Sequence, residues 1–460
     1  MTNRMKKEQK TNNQLVLEAN EGKLSGTRVS TSLKGFSGSG YVTGLDEDNN
    51  FLEVKGFISC DSNIDLFIRY AALNGVRRNI LYINDDCYGE FITEQSNNFV
   101  ELKICNLSLK QGPVKIKVVK GWGGIEVDSF LLKPSPERSS ESPDFQLSNP
   151  FASKECHTIL GYLKNIYGKK IITGQHTAAA SGPELDHIKE ITGKLPALRG
   201  FDFLSYSLKT DTVEATPHKI EEINENKGST EKAIEWGNLH KGLVTFCWHW
   251  YAPTGGKDKA FYTENTDFDL NKALIPDSTE YKALLADMDE IAKQLKRLRD
   301  ENIPVFWRPL HEADGGWFWW GAKGPEPYKK LYVWMYKRFT EYHQLNNLIW
   351  VWNAPNTDWY PGDDYVDISG VDTYAPSGEY GPLKCHFDYC QELIQNRKPI
   401  ALTENGPIPD PEKLIESKTP WLWYMPWYGE FVFGNSTSEY QLKKAYDHPY
   451  CITLDDLPNR

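Results

Sequence analysis

The stretch "PVFWRPLHEADGGWFWWG" (304–321) decides how the fold is read. It starts as an apolar run and turns polar at Arg308. It then reaches His311, Glu312 and Asp314 before Trp317, Phe318, Trp319 and Trp320, with Gly315, Gly316 and Gly321 among them. A core strand has no use for a His–Glu pair, and a surface loop has no use for four successive large aromatics. The stretch needs a place that is both polar and aromatic.

Seven more apolar runs repeat the design: 169–176, 196–203, 243–250, 347–354, 366–376, 399–406 and 421–427. Helical patterns lie between them. The clearest is 277–302, where Leu284, Met288, Ile291, Leu295 and Leu298 fall on one helical face. Asp277 is the expected N-cap, with Glu280 three residues on. Eight strand–helix units predict an α/β fold, a (β/α)8 TIM barrel over 150–460. A doubly wound sheet is the alternative, but it usually has fewer strands, and no Gly-rich phosphate loop occurs.

In such a barrel the chemistry sits at the C-terminal ends of the strands. The runs end in His176, Asp202, His249, Arg308 with His311 and Glu312, Asn353, Asp372 with Tyr374, Glu404 with Asn405, and Trp423 with Trp427. Glu312 ends run four and Glu404 ends run seven. Two carboxylates on one barrel face suit glycoside hydrolysis, one as general acid and base and the other as nucleophile. A retaining enzyme holds the two roughly 5–5.5 Å apart. One must stay protonated while the other is ionised, so their surroundings must differ.

The motif "RPLHEADGGWFWWG" resembles the acid motif of glycoside hydrolase family 26, with His rather than Asn before the acid, and "ALTENG" resembles that family's nucleophile strand. The resemblance spans about 150–460. It implies Glu312 as acid/base and Glu404 as nucleophile, with no cofactor for the chemistry. It implies substrate contacts from His249 in "CWHW" and from Trp317, and a hydrogen bond from Tyr374 in "VDTYAP" to the nucleophile. His311 would orient Glu312 or hydrogen-bond near the nucleophile. A tryptophan of "WLWYMPW" should floor the subsite at the cleaved bond. Trp421, Trp423 and Trp427 are on offer, and Trp423 is preferred. Arg308 and Asn353 complete the expected binding set, with Arg308 suited to hold a carboxylate through its planar fork. The implied activity is retaining endo-1,4-β-mannanase, acting on mannan, glucomannan and galactomannan. A mannobiose-releasing exo-enzyme, a β-1,3-xylanase and a mixed-linkage glucanase are the alternatives within the family.

Residues 15–133 read differently. Short alternating strands at 51–59, 63–71, 79–85, 99–109 and 113–121, without helical patterns, predict an all-β sandwich, jelly-roll-like in form. "LEANEGKLSG" (17–26), "GFSGSGYV" (35–42) and "GWGGIEVDSFLL" (121–132) resemble a family 35 carbohydrate-binding module. That resemblance implies Trp122 as a sugar platform and a structural calcium held by Glu18, Asn20 and Asp128. The Ser/Pro-rich segment 134–149 reads as a linker.

Composition bounds the rest. The 460 residues include 15 Trp and 24 Tyr, an aromatic share of 13% that suits a cleft for stacking sugar rings. A net charge of −11 argues against nucleic acid. No 18-residue apolar run occurs, so no membrane span is expected. The eight cysteines lack a C-x-x-C pair and read mainly as buried thiols, with Cys385–Cys390 and Cys156–Cys451 as possible bridges. The N-terminus "MTNRMKKEQKTNNQ" lacks a signal peptide's apolar stretch, so the protein is cytosolic or its signal has been removed. A polymeric substrate favours a secreted protein, expected to act as a monomer. A catalytically dead sugar-binding barrel would not need both glutamates and Tyr374, and an aldolase would need a strand-end lysine that the runs do not supply.

Overall fold

The computed structural model describes residues 14–135, 142–178, 182–210 and 215–458. They form two compact units.

In the larger unit every apolar run contains a strand: Ile171–His176, Leu198–Asp202, Leu243–Cys247, Val305–Arg308, Leu348–Trp352, Ile368–Thr373, Ile400–Asn405 and Trp423–Tyr424. Each of the first six pairs in parallel with the next in sequence. Strand eight pairs with strand one through Ile172–Trp423 and Thr173–Tyr424. The result is the expected eight-stranded parallel barrel.

The seam between strands seven and eight is closed in another way. Pro426 has no N–H with which to extend a ladder. Backbone bonds from Leu422 N–H to Ile400 O (2.9 Å) and Asn405 N–H to Met425 O (3.0 Å) begin the closure. Two buried amides hold the strand-eight segment from its two neighbours, Gln175 from strand one and Asn405 from strand seven. Gln175 Nε2 donates to the carbonyls of His176 (2.7 Å), Pro426 (3.1 Å) and Trp427 (3.2 Å). Asn405 Oδ1 accepts from Met425 N–H (2.7 Å), and its Nδ2 donates to the Gly406 and Pro407 carbonyls.

The helix predicted at 277–302 runs Thr279–Asp300 and buries the five apolar residues named for it. Its N-cap is Ser278, not Asp277. Ser278 is extended (φ −61°, ψ 162°) and its hydroxyl accepts the Tyr281 N–H, whereas Asp277 has φ 66° and cannot take the N-cap conformation.

The smaller unit contains the predicted sandwich. One sheet orders Arg28–Ser30, Tyr41–Thr43, Glu126–Pro134, Ser62–Ala72 and Ser96–Leu109, with Leu15–Glu18 also on Glu126–Pro134. The other orders Lys23–Ser25, Phe51–Ile58, Gly112–Trp122, Arg77–Ile83 and Asp86–Thr93. Alternation works as expected: Val114, Ile116 and Val118 enter the core with Leu52, Val54, Leu66 and Ile68, while Lys115 and Lys117 do not.

Of the linker segment, 136–141 lies outside the described residues. Residues 142–149 lie on the barrel, where Asp144 N–H reaches Arg397 O (3.0 Å) and Ser148 N–H reaches the buried Asp367 (2.5 Å). Neither candidate bridge forms, and every cysteine but Cys60 is buried. Among the described residues no helix is long and apolar enough to cross a membrane.

Gln175→Met keeps the shape but removes the donors that three carbonyls share. Each buried group left unpaired costs about 1–3 kcal/mol. Denaturant unfolding should show a loss of at least about 2 kcal/mol; an unchanged midpoint would mean that the seam does not depend on Gln175.

Candidate active site

The segment after strand four folds as a strained turn. Leu310 (φ 52°) and Glu312 (φ 54°) both adopt left-handed backbone, which costs a non-glycine residue energy and is typical of functional turns. The Glu312 N–H is tied to Asn353 O (2.7 Å). The glycines let the aromatics fold back. A Cβ on Gly315 would lie 1.9 Å from the Trp317 ring, and one on Gly321 would lie 2.0 Å from Ala313 O.

The four aromatics then divide. Trp319 and Trp320 are buried and donate to Trp250 O (2.6 Å) and His311 O (2.9 Å). Phe318 is buried and stacks on Trp320. Trp317 is 44% exposed, and its indole N–H donates to Glu312 Oε2 (3.1 Å). It presents a free aromatic surface beside the acid.

Strands six and seven bring the nucleophile candidate into place. Their register slips after Val371, so Asp372 lies opposite Glu404. Such an irregularity re-aims side chains. Arg308 is buried and bridges both, through Nη1 to Asp372 Oδ2 (2.5 Å) and Nη2 to Glu404 Oε2 (2.8 Å). Burial opposes its charge, but the two carboxylates hold it protonated. Tyr374 donates its hydroxyl to the other Glu404 oxygen.

One carboxylate oxygen from each of Glu312, Asp372 and Glu404 lies within 4.8 Å of the others. Burial, together with the charges of Glu404 and Asp372, holds the Glu312 carboxyl well above the usual carboxylate range, against the opposing effects of Arg308 and the Trp317 N–H. Arg308 already supplies the positive charge among these acids.

Strand three carries His249. Its backbone N–H and Nδ1 both bond Asp202 at the end of strand two, at 3.0 and 2.5 Å. Burial lowers the His249 pKa, but the Asp202 carboxylate outweighs this and raises it. With Nδ1 committed, Nε2 is the nitrogen available to a ligand. His311 packs edge-on to His249, ring centroids 4.7 Å apart, and its buried Nδ1 has no hydrogen-bond partner among the described residues. Burial and the nearby Arg308 keep the His311 ring neutral.

Two expected substrate contacts, Trp423 and Asn353, need correction, and Arg308 holds carboxylates as its fork suggests. Trp423 is 1% exposed and packs in the barrel interior against Phe306, with ring centroids 4.9 Å apart, so it cannot floor a subsite. Trp427 is the run-eight tryptophan at the site. It is half-buried, with its ring 4.5 Å from His176 and 5.8 Å from His249. Arg308 is spent on carboxylates. Asn353 is buried and donates to Asp372 Oδ1 (2.7 Å) and Thr403 Oγ1 (2.5 Å), so it holds the Arg308 partner instead of sugar. The residues not assigned from sequence are Asp202, Asp372 and Trp427. All three were visible as strand ends, but nothing in the sequence showed their partners.

In the sandwich, Trp122 is 66% exposed, as a sugar platform requires, with Arg77 over its ring at 5.8 Å. Glu18 Oε2 and Asp128 Oδ2 both accept from Ser37 Oγ at 2.9 Å. Asn20 approaches the same loop, donating to Ser39 Oγ (2.7 Å), and its buried Oδ1 has no hydrogen-bond partner among the described residues. Arg69 pairs with Asp128.

An eight-stranded parallel barrel with facing carboxylates from strands four and seven, one held protonated and the other gripped by Arg and Tyr, defines a glycoside hydrolase. The model of glycosyl hydrolase family 26 matches residues 148–456, and that of carbohydrate-binding module family 35 matches 15–135. The chain belongs to glycosyl hydrolase family 26 and carries an N-terminal family 35 module. It is 39% identical over 453 residues to a mannan endo-1,4-beta-mannosidase of Thermothelomyces thermophilus, covering 96% of this chain and 90% of that protein. The solved GH26-CBM35 beta-(1,4)-mannanase of Podospora anserina is 38% identical, covering 96% and 98%, with a TM-score of 0.65. A ruminal GH26 endo-beta-1,4-mannanase structure is 28% identical, covering 97% and 99%, with a TM-score of 0.69.

The raised Glu312 pKa is open to direct titration. Asp372→Asn removes a like charge and should therefore lower it. In 13C NMR of the Glu312 carboxyl, the midpoint should move to lower pH in the variant; an unchanged or raised midpoint would contradict the arrangement.

Proposed function

We propose that the protein is a retaining endo-1,4-β-mannanase, hydrolysing mannan, glucomannan and galactomannan by double displacement. The observation that carries the mechanism is the spacing within the site. Oxygens of Glu312 and Glu404 lie within 4.8 Å, which leaves no room for the water that an inverting enzyme places between its carboxyls. Glu312, raised in pKa, protonates the leaving glycosidic oxygen. Glu404, oriented by Arg308 and Tyr374, attacks the anomeric carbon. Water activated by Glu312 then releases the sugar from Glu404. Trp317 and Trp427 offer stacking surfaces, and His249 Nε2 a hydrogen bond to a sugar hydroxyl. The mannan substrate and the endo mode are supported by relatives that match nearly the whole chain under those names. A polymer that cannot cross a membrane places this work outside the cell.

The module is read as binding the same polysaccharide on Trp122, with a calcium ion held by Glu18, Asn20 and Asp128. The converging oxygens and the orphan Asn20 Oδ1 fit a hard cation, and Arg69 offsets only one of the two carboxylate charges.

Glu404→Ala should abolish mannan hydrolysis. Glu312→Ala should lose about 10²–10⁴-fold and keep more activity on an aryl mannoside whose leaving group needs no proton. Early products of the wild type, followed by 1H NMR, should be mixed short manno-oligosaccharides with the β-anomer formed first. An α-anomer first would overturn retention, and mannobiose alone would replace endo with exo action. Chelation by EDTA should lower the module's melting temperature, and calcium should restore it; an indifferent module holds no calcium.

A further inference from the structure

Strand three carries a second set of donors that the hydrolytic chemistry does not use in full. Cys247 ends strand three and His249 follows two residues on, and both side chains reach Asp202. Trp248 and Trp250 stack on each other, ring centroids 4.0 Å apart. Asp202 pairs directly with Cys247 across strands two and three. One donor atom from each of Asp202, Cys247 and His249 therefore falls within 4.8 Å of the other two.

We propose that Asp202, Cys247 and His249 form an inhibitory site for a thiophilic divalent cation such as Zn2+ or Cd2+. The donor set is sulfur, nitrogen and carboxylate oxygen, the combination that zinc-type ions select. Tetrahedral coordination brings such donors to roughly 3.5 Å from one another, a short move from their present spacing. The ion enters from the cleft, where the His249 and Asp202 side chains are 14% and 9% exposed, and Cys247 completes the site from behind. Binding releases the Cys247 thiol proton to solvent and forms a metal–sulfur bond. The bound ion breaks the Asp202–His249 hydrogen bond and turns the imidazole away from the cleft. The neighbouring acids Glu312, Asp372 and Glu404 are a poorer site for such an ion, because all their donors are hard oxygens and Arg308 already sits among them.

Cys247 takes no part in hydrolysis. Its thiol donates to Phe201 O (3.7 Å), a bond that serine can also make, and also meets the Asp202 side chain. Cys247→Ser should therefore keep mannan activity, with Cys247→Ala as the companion if serine destabilises the barrel. Full-length wild type, both variants and Cys60→Ser, which removes the exposed thiol, are titrated with CdCl2. Two quantities are read: mannan hydrolysis and the ultraviolet charge-transfer band of a cadmium–thiolate bond. Wild type and Cys60→Ser should be inhibited, reversibly by EDTA, in step with a band of one thiolate per chain. The Cys247 variants should lose that band and resist cadmium about tenfold or more. Equal inhibition of the Cys247 variants, or a band that survives in them, would overturn the site. The inhibition readout rests on the mannanase reading, but the absorbance titration uses no substrate, so the two can fail separately.

Discussion

The Arg308 guanidinium is the interaction on which the site depends. It is buried at the end of strand four and gripped by carboxylates from strands six and seven. Leaving a buried charge without its partner costs about 3–5 kcal/mol, so neither Arg308 nor its two acceptors can be removed lightly. The pairing also separates the two catalytic groups chemically. Glu404 has one oxygen on Arg308 and the other on Tyr374, whereas Glu312 receives only the Trp317 N–H and sits in the field of two acids. Two glutamates of one type thus stand in chemically different surroundings.

Around that pair the barrel supplies fixed donors. Asn353 and Thr403 bind the far side of Asp372, so Arg308 is held by a carboxylate that cannot swing away. Asp202 does the same for His249. The Gln175 and Asn405 amides fix the backbone that carries Trp427, and Asn405 directly follows the nucleophile. The seam that closes the barrel and the wall of the cleft are therefore one structure.

Much of this was legible in the sequence. Eight apolar runs gave eight strands because burial on all sides leaves a simple record, and the polar ends of those runs named most of the cleft. What stayed hidden were partners and directions. The fork of Arg308 suggests a carboxylate, but which carboxylate it holds, and what Asn353 binds, depends on the register slip at Val371 that sets Asp372 opposite Glu404. Trp423 and Trp427 are four residues apart in one aromatic run. Only the short strand eight, ending before Pro426, shows that the first turns into the barrel and the second onto the cleft. Asp277 lost the cap to Ser278 through a backbone angle that composition does not reveal.

The central claim is that Glu404 becomes covalently attached to the sugar. The direct measurement is mass spectrometry of peptides after incubation with a 2-deoxy-2-fluoro-mannosyl fluoride, which slows release of the intermediate. The account predicts one fluoromannosyl group per chain, on the peptide carrying Glu404. Turnover without any adduct, or a label on Glu312 or Asp372, would contradict it.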